Sequence, residues 1–196
     1  MTARHEIRPA DIMAMEAYGE VRRERRRAMS ALKRDRRVAV GPDATFYFES
    51  YDTMWHQVHE MLYIERGGED QVAGELEAYN PLVPKGRELV ATLMIEIDDP
   101  DRRARVLAGL GGIEEALFIE VDGARIAGVS EADIDRTTAD GKASSVQFIH
   151  FPFMDPAIAA FRAPGARVVL GIEHPNYSHM AIVPEAVRAA LGGDFD

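Results

Sequence analysis

The chain has 196 residues, 46% of them hydrophobic and 29% charged, which is ordinary for a globular protein and enough to bury a sizeable core as one domain. It has no cysteine, so no disulfide, thiolate nucleophile or iron–sulfur cluster of its own; it also lacks an apolar run of about 18 residues and a signal-peptide core near residue 1, which together point to a cytoplasmic protein that does not cross a membrane. The net charge of −10 is uneven, with 11 Lys/Arg against 6 Asp/Glu in residues 1–40 and 12 against 27 in residues 41–196.

That asymmetry divides the chain into a basic N-terminal helical arm, 1–40, and a single acidic domain, 41–196. A basic arm on an acidic body folds back on it or reaches an acidic neighbour such as a second copy, so a homo-oligomer is expected. Residues 1–10 read as loose, punctuated by Pro9. Asp11 is placed to cap a helix running to about Arg36, with Ile12, Met15, Tyr18, Val21, Ala28 and Leu32 as a thin apolar stripe among the charged clusters 22–27 and 33–37. One reading is a phosphate-binding helix. The plainer one is a solvated helix across the domain: the body is acidic, and the segment lacks the aromatic interleaving of single-strand binders, so nucleic acid is not the expected partner.

Residues 45–49 read as a strand, followed by the stretch that organises the chain, 52–66. Asp52 or Thr53 can cap a helix there, and Trp55, Val58 and Leu62 share one face with Met54 and Met61 beside them. His56, His59, Glu60 and Tyr63 form a second stripe at i, i+3, i+4, i+7. Two imidazoles and a carboxylate so spaced could hold a divalent transition metal, which makes His56, His59 and Glu60 the candidate ligands. The bland alternative is a hydrogen-bonded rim where the helix leaves the core. The order His-x-x-His-Glu is neither the zinc-protease His-Glu-x-x-His nor the di-iron Glu-x-x-His.

Gly67-Gly68 stops that helix, and residues 69–79 form another with Val72, Leu76 and Tyr79 on one side. Asn80-Pro81 ends it, and two prolines make 80–84 a stiff surface loop at whose start Tyr79 and Asn80 are candidate binding residues; a plain helix terminator is the competing reading. Residues 88–97 form a central strand, and Pro100 opens a helix closed by the glycines at 109–112. Those glycines follow a helix rather than a strand, which excludes a phosphate loop.

Residues 116–121 and 124–129 are a hairpin around Asp122-Gly123, and 131–141 is polar and exposed. Residues 144–153 are a strand, 156–162 a short helix, 167–174 and 178–183 a second hairpin, and Pro184 opens a final helix to Leu191. The fold class is therefore α+β, a mostly antiparallel sheet of about seven strands with helices concentrated in the N-terminal half. His150, His174 and His179 are further candidates for a metal or acid–base cluster, with the usual alternative that each is a satisfied buried group.

Six blocks together carry a family resemblance: Arg37-Val-Ala-Val-Gly-Pro42, Phe48-Glu49, Glu60-Met-Leu-x-x-Glu65, Ala78-Tyr-Asn-Pro-Leu-Val-Pro84, Ala91-Thr-Leu-Met-Ile-Glu96 and Gly112-Ile-Glu114. In order and over most of the chain, they resemble the bacterial family catalogued as domain of unknown function 3501. The resemblance implies no established activity. Its genes commonly neighbour those of a rubrerythrin and an iron–sulfur oxidoreductase, which implies an accessory role in redox or peroxide defence with those proteins as partners. The family is expected to carry an aromatic residue and Gln where this chain has His56 and His59, which favours Glu60, Glu65, Tyr79 and Asn80 as site residues.

Overall fold

The computed structural model describes residues 4–131 and 142–196. Three α-helices lead the fold, α1 (Met15–Arg34), α2 (Tyr51–Glu65) and α3 (Glu69–Tyr79), and three shorter ones follow, α4 (Pro100–Ala108), α5 (Asp155–Arg162) and α6 (Glu185–Leu191). The strands are β1 (Arg37–Val40), β2 (Ala44–Phe48), β3 (Glu88–Ile95), β4 (Leu117–Val121), β5 (Ala124–Ala127), β6 (Val129–Ser130), β7 (Val146–Pro152), β8 (Val168–His174) and β9 (Tyr177–Ile182). Every pairing is antiparallel. The α+β class stands, but the strands divide between two sheets instead of forming one of about seven: β1-β2-β3-β7-β6 and β5-β4-β8-β9. Apart from Glu131, the polar segment expected over 131–141 lies outside the described residues.

Alternation explains the division. In β3, Leu89, Ala91, Leu93 and Ile95 point to one face and meet Leu117, Ile119, Leu170 and Ile172 of the second sheet, in one buried cluster with Phe46, Ile149 and Phe151. Val90 points the other way, into a second cluster with Met54, Val58, Leu62 and Leu76 of the helices. The molecule is thus layered: helices α1–α3, the five-stranded sheet, the four-stranded sheet. Gly128 marks where the chain leaves one sheet for the other; a Cβ there would collide with Ile149 and crowd Phe151 and Leu117.

Local chemistry shifts several boundaries. Helix α2 is capped by Ser50, two residues before Asp52 and three before Thr53, the expected caps: the Ser50 hydroxyl accepts from the Thr53 N–H at 3.3 Å, and the Thr53 hydroxyl accepts from the Ser50 N–H at 2.8 Å. It ends at Arg66, with φ of 57°, one residue before the glycines. Asp11 does not cap α1; it closes a separate 3-10 turn, Pro9–Asp11, by accepting from the Arg8 N–H at 2.9 Å. Residues 37–40, grouped with the arm by charge, are edge strand β1, with Val38 and Val40 buried between the sheets.

The described part of the N-terminal stretch is held down rather than loose. Ile7 is only 1% exposed and joins the helical cluster. A second buried tie fastens the other end of the chain: the Arg36 guanidinium donates to the Phe48 and Glu49 carbonyls, at 3.0 and 2.7 Å, and pairs with Asp194. Burial holds the Asp194 carboxyl above its usual range against the pull of Arg36.

Candidate functional site

The stripe of α2 that carries His56, His59 and Glu60 faces α1. Tyr18, fully buried on α1, donates its hydroxyl to Glu60 Oε1 at 2.8 Å, and Arg22 grips the same carboxylate through Nε at 2.9 Å and a terminal nitrogen at 2.8 Å. This bidentate geometry is the strong form of the interaction. The Arg22 guanidinium, and then the Tyr18 hydroxyl, hold the Glu60 carboxyl below its usual range against the opposing effect of burial. Burial, and then the bond to Glu60, push the Tyr18 phenol well up. His56 Nδ1 lies 3.2 Å from the Tyr18 hydroxyl; as that hydroxyl gives its proton to Glu60, the imidazole supplies one in return.

His59 is fully buried and bonded at both nitrogens. Nε2 accepts the Met13 backbone N–H at 3.0 Å, so the ring proton sits on Nδ1 and is donated to the Trp55 carbonyl at 2.7 Å. Burial depresses the pKa of both imidazoles. The Trp55 ring stacks on His59 at 3.7 Å between centroids, its Nε1–H donates to the Asp11 carbonyl at 2.8 Å, and Arg25 lies over it. The three proposed ligands are thus brought together, but with their bonding directed at α1 and the N-terminal segment. Neither ring nitrogen of His59 is left without a partner. Among the described residues, no group of three or more His, Asp or Glu side chains is placed to hold one.

Asn80 performs a related task. Its Oδ1 accepts the Ile7 N–H at 2.8 Å and its Nδ2 donates to the Ile7 carbonyl at 2.9 Å, so the side-chain amide pairs with the backbone as a neighbouring strand would. Lys85 extends this clamp, donating to the His5 carbonyl at 2.6 Å and the Asn80 carbonyl at 3.0 Å; burial lowers the pKa of its ammonium. Beside the clamp is an open cleft of about 560 Å³, lined by Ile7, Arg8, Leu76, Glu77, Asn80 and Lys85 among others. Tyr79 does not line it; it packs against the helical apolar cluster. Glu65, at the end of α2, accepts from Gln71 at 2.7 Å.

The other histidines separate. His150 on β7 bonds Glu88 through Nδ1 at 2.9 Å, with Glu131 3.9 Å from Nε2; these carboxylates, Glu88 foremost, raise its pKa. His174 Nε2 sits 3.1 Å from the Gly111 carbonyl. The β8–β9 register sets His174 opposite Tyr177 and His179 opposite Ile172, so the hairpin does not pair them with each other. Tyr177 is a functional-looking group that serves the fold: its hydroxyl accepts the Asp43 and Ala44 N–H groups and donates to the Val40 carbonyl. The roles of Tyr18, Arg22, Ile7 and Lys85 were not visible along the chain. Each depends on a partner 38 to 80 residues away.

Comparison with known proteins gives a consistent result. Residues 6–195 match the family model described as "Protein of unknown function (DUF3501)", so the chain belongs to that family. No curated protein matches. Among solved structures the chain is similar to a novel protein of unknown function from Burkholderia pseudomallei K96243, with 37% identity and a TM-score of 0.89 over 97% of this chain and 99% of that one.

Proposed function

We propose that this member of the family is an accessory binding protein of a redox or peroxide-defence system, which docks to a di-iron or iron–sulfur partner and performs no metal chemistry of its own. The observation that carries the reading is the bonding of His59: with one nitrogen donating to the Trp55 carbonyl and the other accepting from Met13, its imidazole is a fastening between helix and N-terminal segment. Glu60, gripped by Arg22 and Tyr18, is a second. A metal enzyme built on this stripe would need both groups released, at the cost of leaving buried donors unpaired. The redox setting rests only on what the family resemblance implies, genes that neighbour those of a rubrerythrin and an iron–sulfur oxidoreductase.

The test combines two measurements on the full chain purified without chelator. Elemental analysis is expected to find less than about a tenth of an equivalent of iron, zinc or manganese, since a preformed ligand set would retain its metal. Calorimetric titration with a purified rubrerythrin-type protein is expected to give saturable binding. Stoichiometric metal, or no binding to either the di-iron or the iron–sulfur partner, overturns the reading.

A further inference from the structure

Helix α1 is unusual in what it leaves uncovered. It runs for 20 residues and buries one side chain, Tyr18. Helical stability in proteins comes mainly from packing of an apolar face, so so long a helix with so little buried is incomplete as it stands. Its seven cations outnumber its three carboxylates. Two of them are engaged with α2, Arg22 on Glu60 and Arg25 over Trp55. Arg23, Arg26 and Arg27 are exposed and make no ion pair within 4.0 Å among the described residues. At spacings of one, three and four residues they repel one another.

The complement is present on the same chain. Helix α3 starts Glu69-Asp70 and continues to Glu75 and Glu77, and residues 67–84 contain no Lys or Arg. Glu69, Asp70 and Glu77 are exposed. Helix α3 buries one side chain, Leu76. The two helices cannot satisfy each other within one protomer, because α2 stands between them: it packs on α1 through His56, Glu60 and Tyr63 and on α3 through the cluster of Leu62 and Leu76. Between the flanks, the side chain of Ile64 on α2 is exposed.

We infer that the helical layer is a self-complementary docking face, on which a second copy of this chain seats its acidic α3 against the basic α1 of the first, and reciprocally. A two-fold axis along the layer makes both contacts at once and brings Ile64 towards its counterpart, giving an apolar centre with charged flanks. The surplus charge of the arm is then neutralised in trans by the body of the other copy. This inference is independent of the redox reading, since it concerns two identical chains and no other partner.

The experiment is charge reversal with recombination, read by sedimentation velocity on the full chain at about 50 mM and about 500 mM salt, where screening differs several-fold. Wild type is expected to be a dimer that weakens at least about tenfold at the higher salt. The triple variants R23E/R26E/R27E and E69K/D70K/E77K are each expected to be monomeric with the circular dichroism of a folded chain, all six positions being exposed. Mixed in equal amounts, they are expected to form a heterodimer, since both contacts between them are again between opposite charges. A monomeric wild type, dimers untouched by either reversal, or variants that stay apart on mixing would each overturn the inference. So would binding of duplex DNA that R23E/R26E/R27E abolishes while the oligomeric state stays put.

Discussion

The space between the two sheets is closed almost wholly by apolar side chains, from Phe46 and Phe151 on one side to Leu170 and Ile172 on the other. The helical face of the five-stranded sheet is closed differently: a smaller apolar cluster around Val58 and Leu62, together with the directional bonds of His59, Glu60 and Asn80. Apolar burial is indifferent to direction and to pH and grows with area. Hydrogen bonds and ion pairs contribute little net but cost much when one partner is lost. The helical layer should therefore open first, locally, and in a pH-dependent way, while the sandwich fails only as a whole.

The largest effect should come from the sandwich. Phe151→Ala removes a fully buried ring 6.4 Å from that of Phe46 and is expected to lower global stability by about 3–5 kcal/mol in urea unfolding. Glu60→Gln should cost less, about 1–3 kcal/mol, and should act locally. Hydrogen exchange should quicken across α1 and leave β3 and β8 unchanged; uniform quickening would mean that the two regions unfold as one. Asn80→Ala should release the segment around Ile7 to limited proteolysis without moving α1.

Acidity should separate the regions by sign. His56 and His59 have depressed pKa values, so their contribution is present above the ordinary imidazole value of about 6.5 and is lost as pH falls through the folded-state values. His150 is raised, so its contribution is complete below about 6.5 and is lost as pH rises through its folded-state value. Exchange at pH 5 against pH 8 should thus loosen the α1–α2 contact and tighten the β7 edge, and His59→Gln should blunt the first response only. Loosening of both regions at pH 5 would contradict these signs. The smallest effect belongs to Arg87→Ala: its pair with Asp155 is solvent-exposed on both sides, and the melting temperature should not move measurably.

Periodicity made α2, α3, β3 and the β8–β9 hairpin legible, because each is long enough to show its period and is punctuated by Gly or Pro. Strands β1 and β6, of four and two residues, carry too little alternation to be seen, and the assignment of strands to two sheets is a matter of non-local pairing. The candidate stripe on α2 was legible as a cluster, but the bonding partners of its members were not. Spacing brings His56, His59 and Glu60 together but does not show their partners: Met13 donates to His59, and Tyr18 and Arg22 donate to Glu60, from far along the chain. The cap of α2 shows the same limit at short range, Ser50 prevailing over Asp52 and Thr53 because its backbone is extended where a cap must be.

By itself the sequence determined the class of the fold, the positions of most elements, the family and the imbalance of charge between arm and body, all properties set by local pattern and composition. Only the tertiary structure decided that the strands form two sheets, that the imidazole stripe is a fastening, and that α1 and the acidic helix α3 lie on opposite flanks of α2. Those outcomes depend on which distant groups meet, and hydrogen bonds act only over the few ångströms that folding closes.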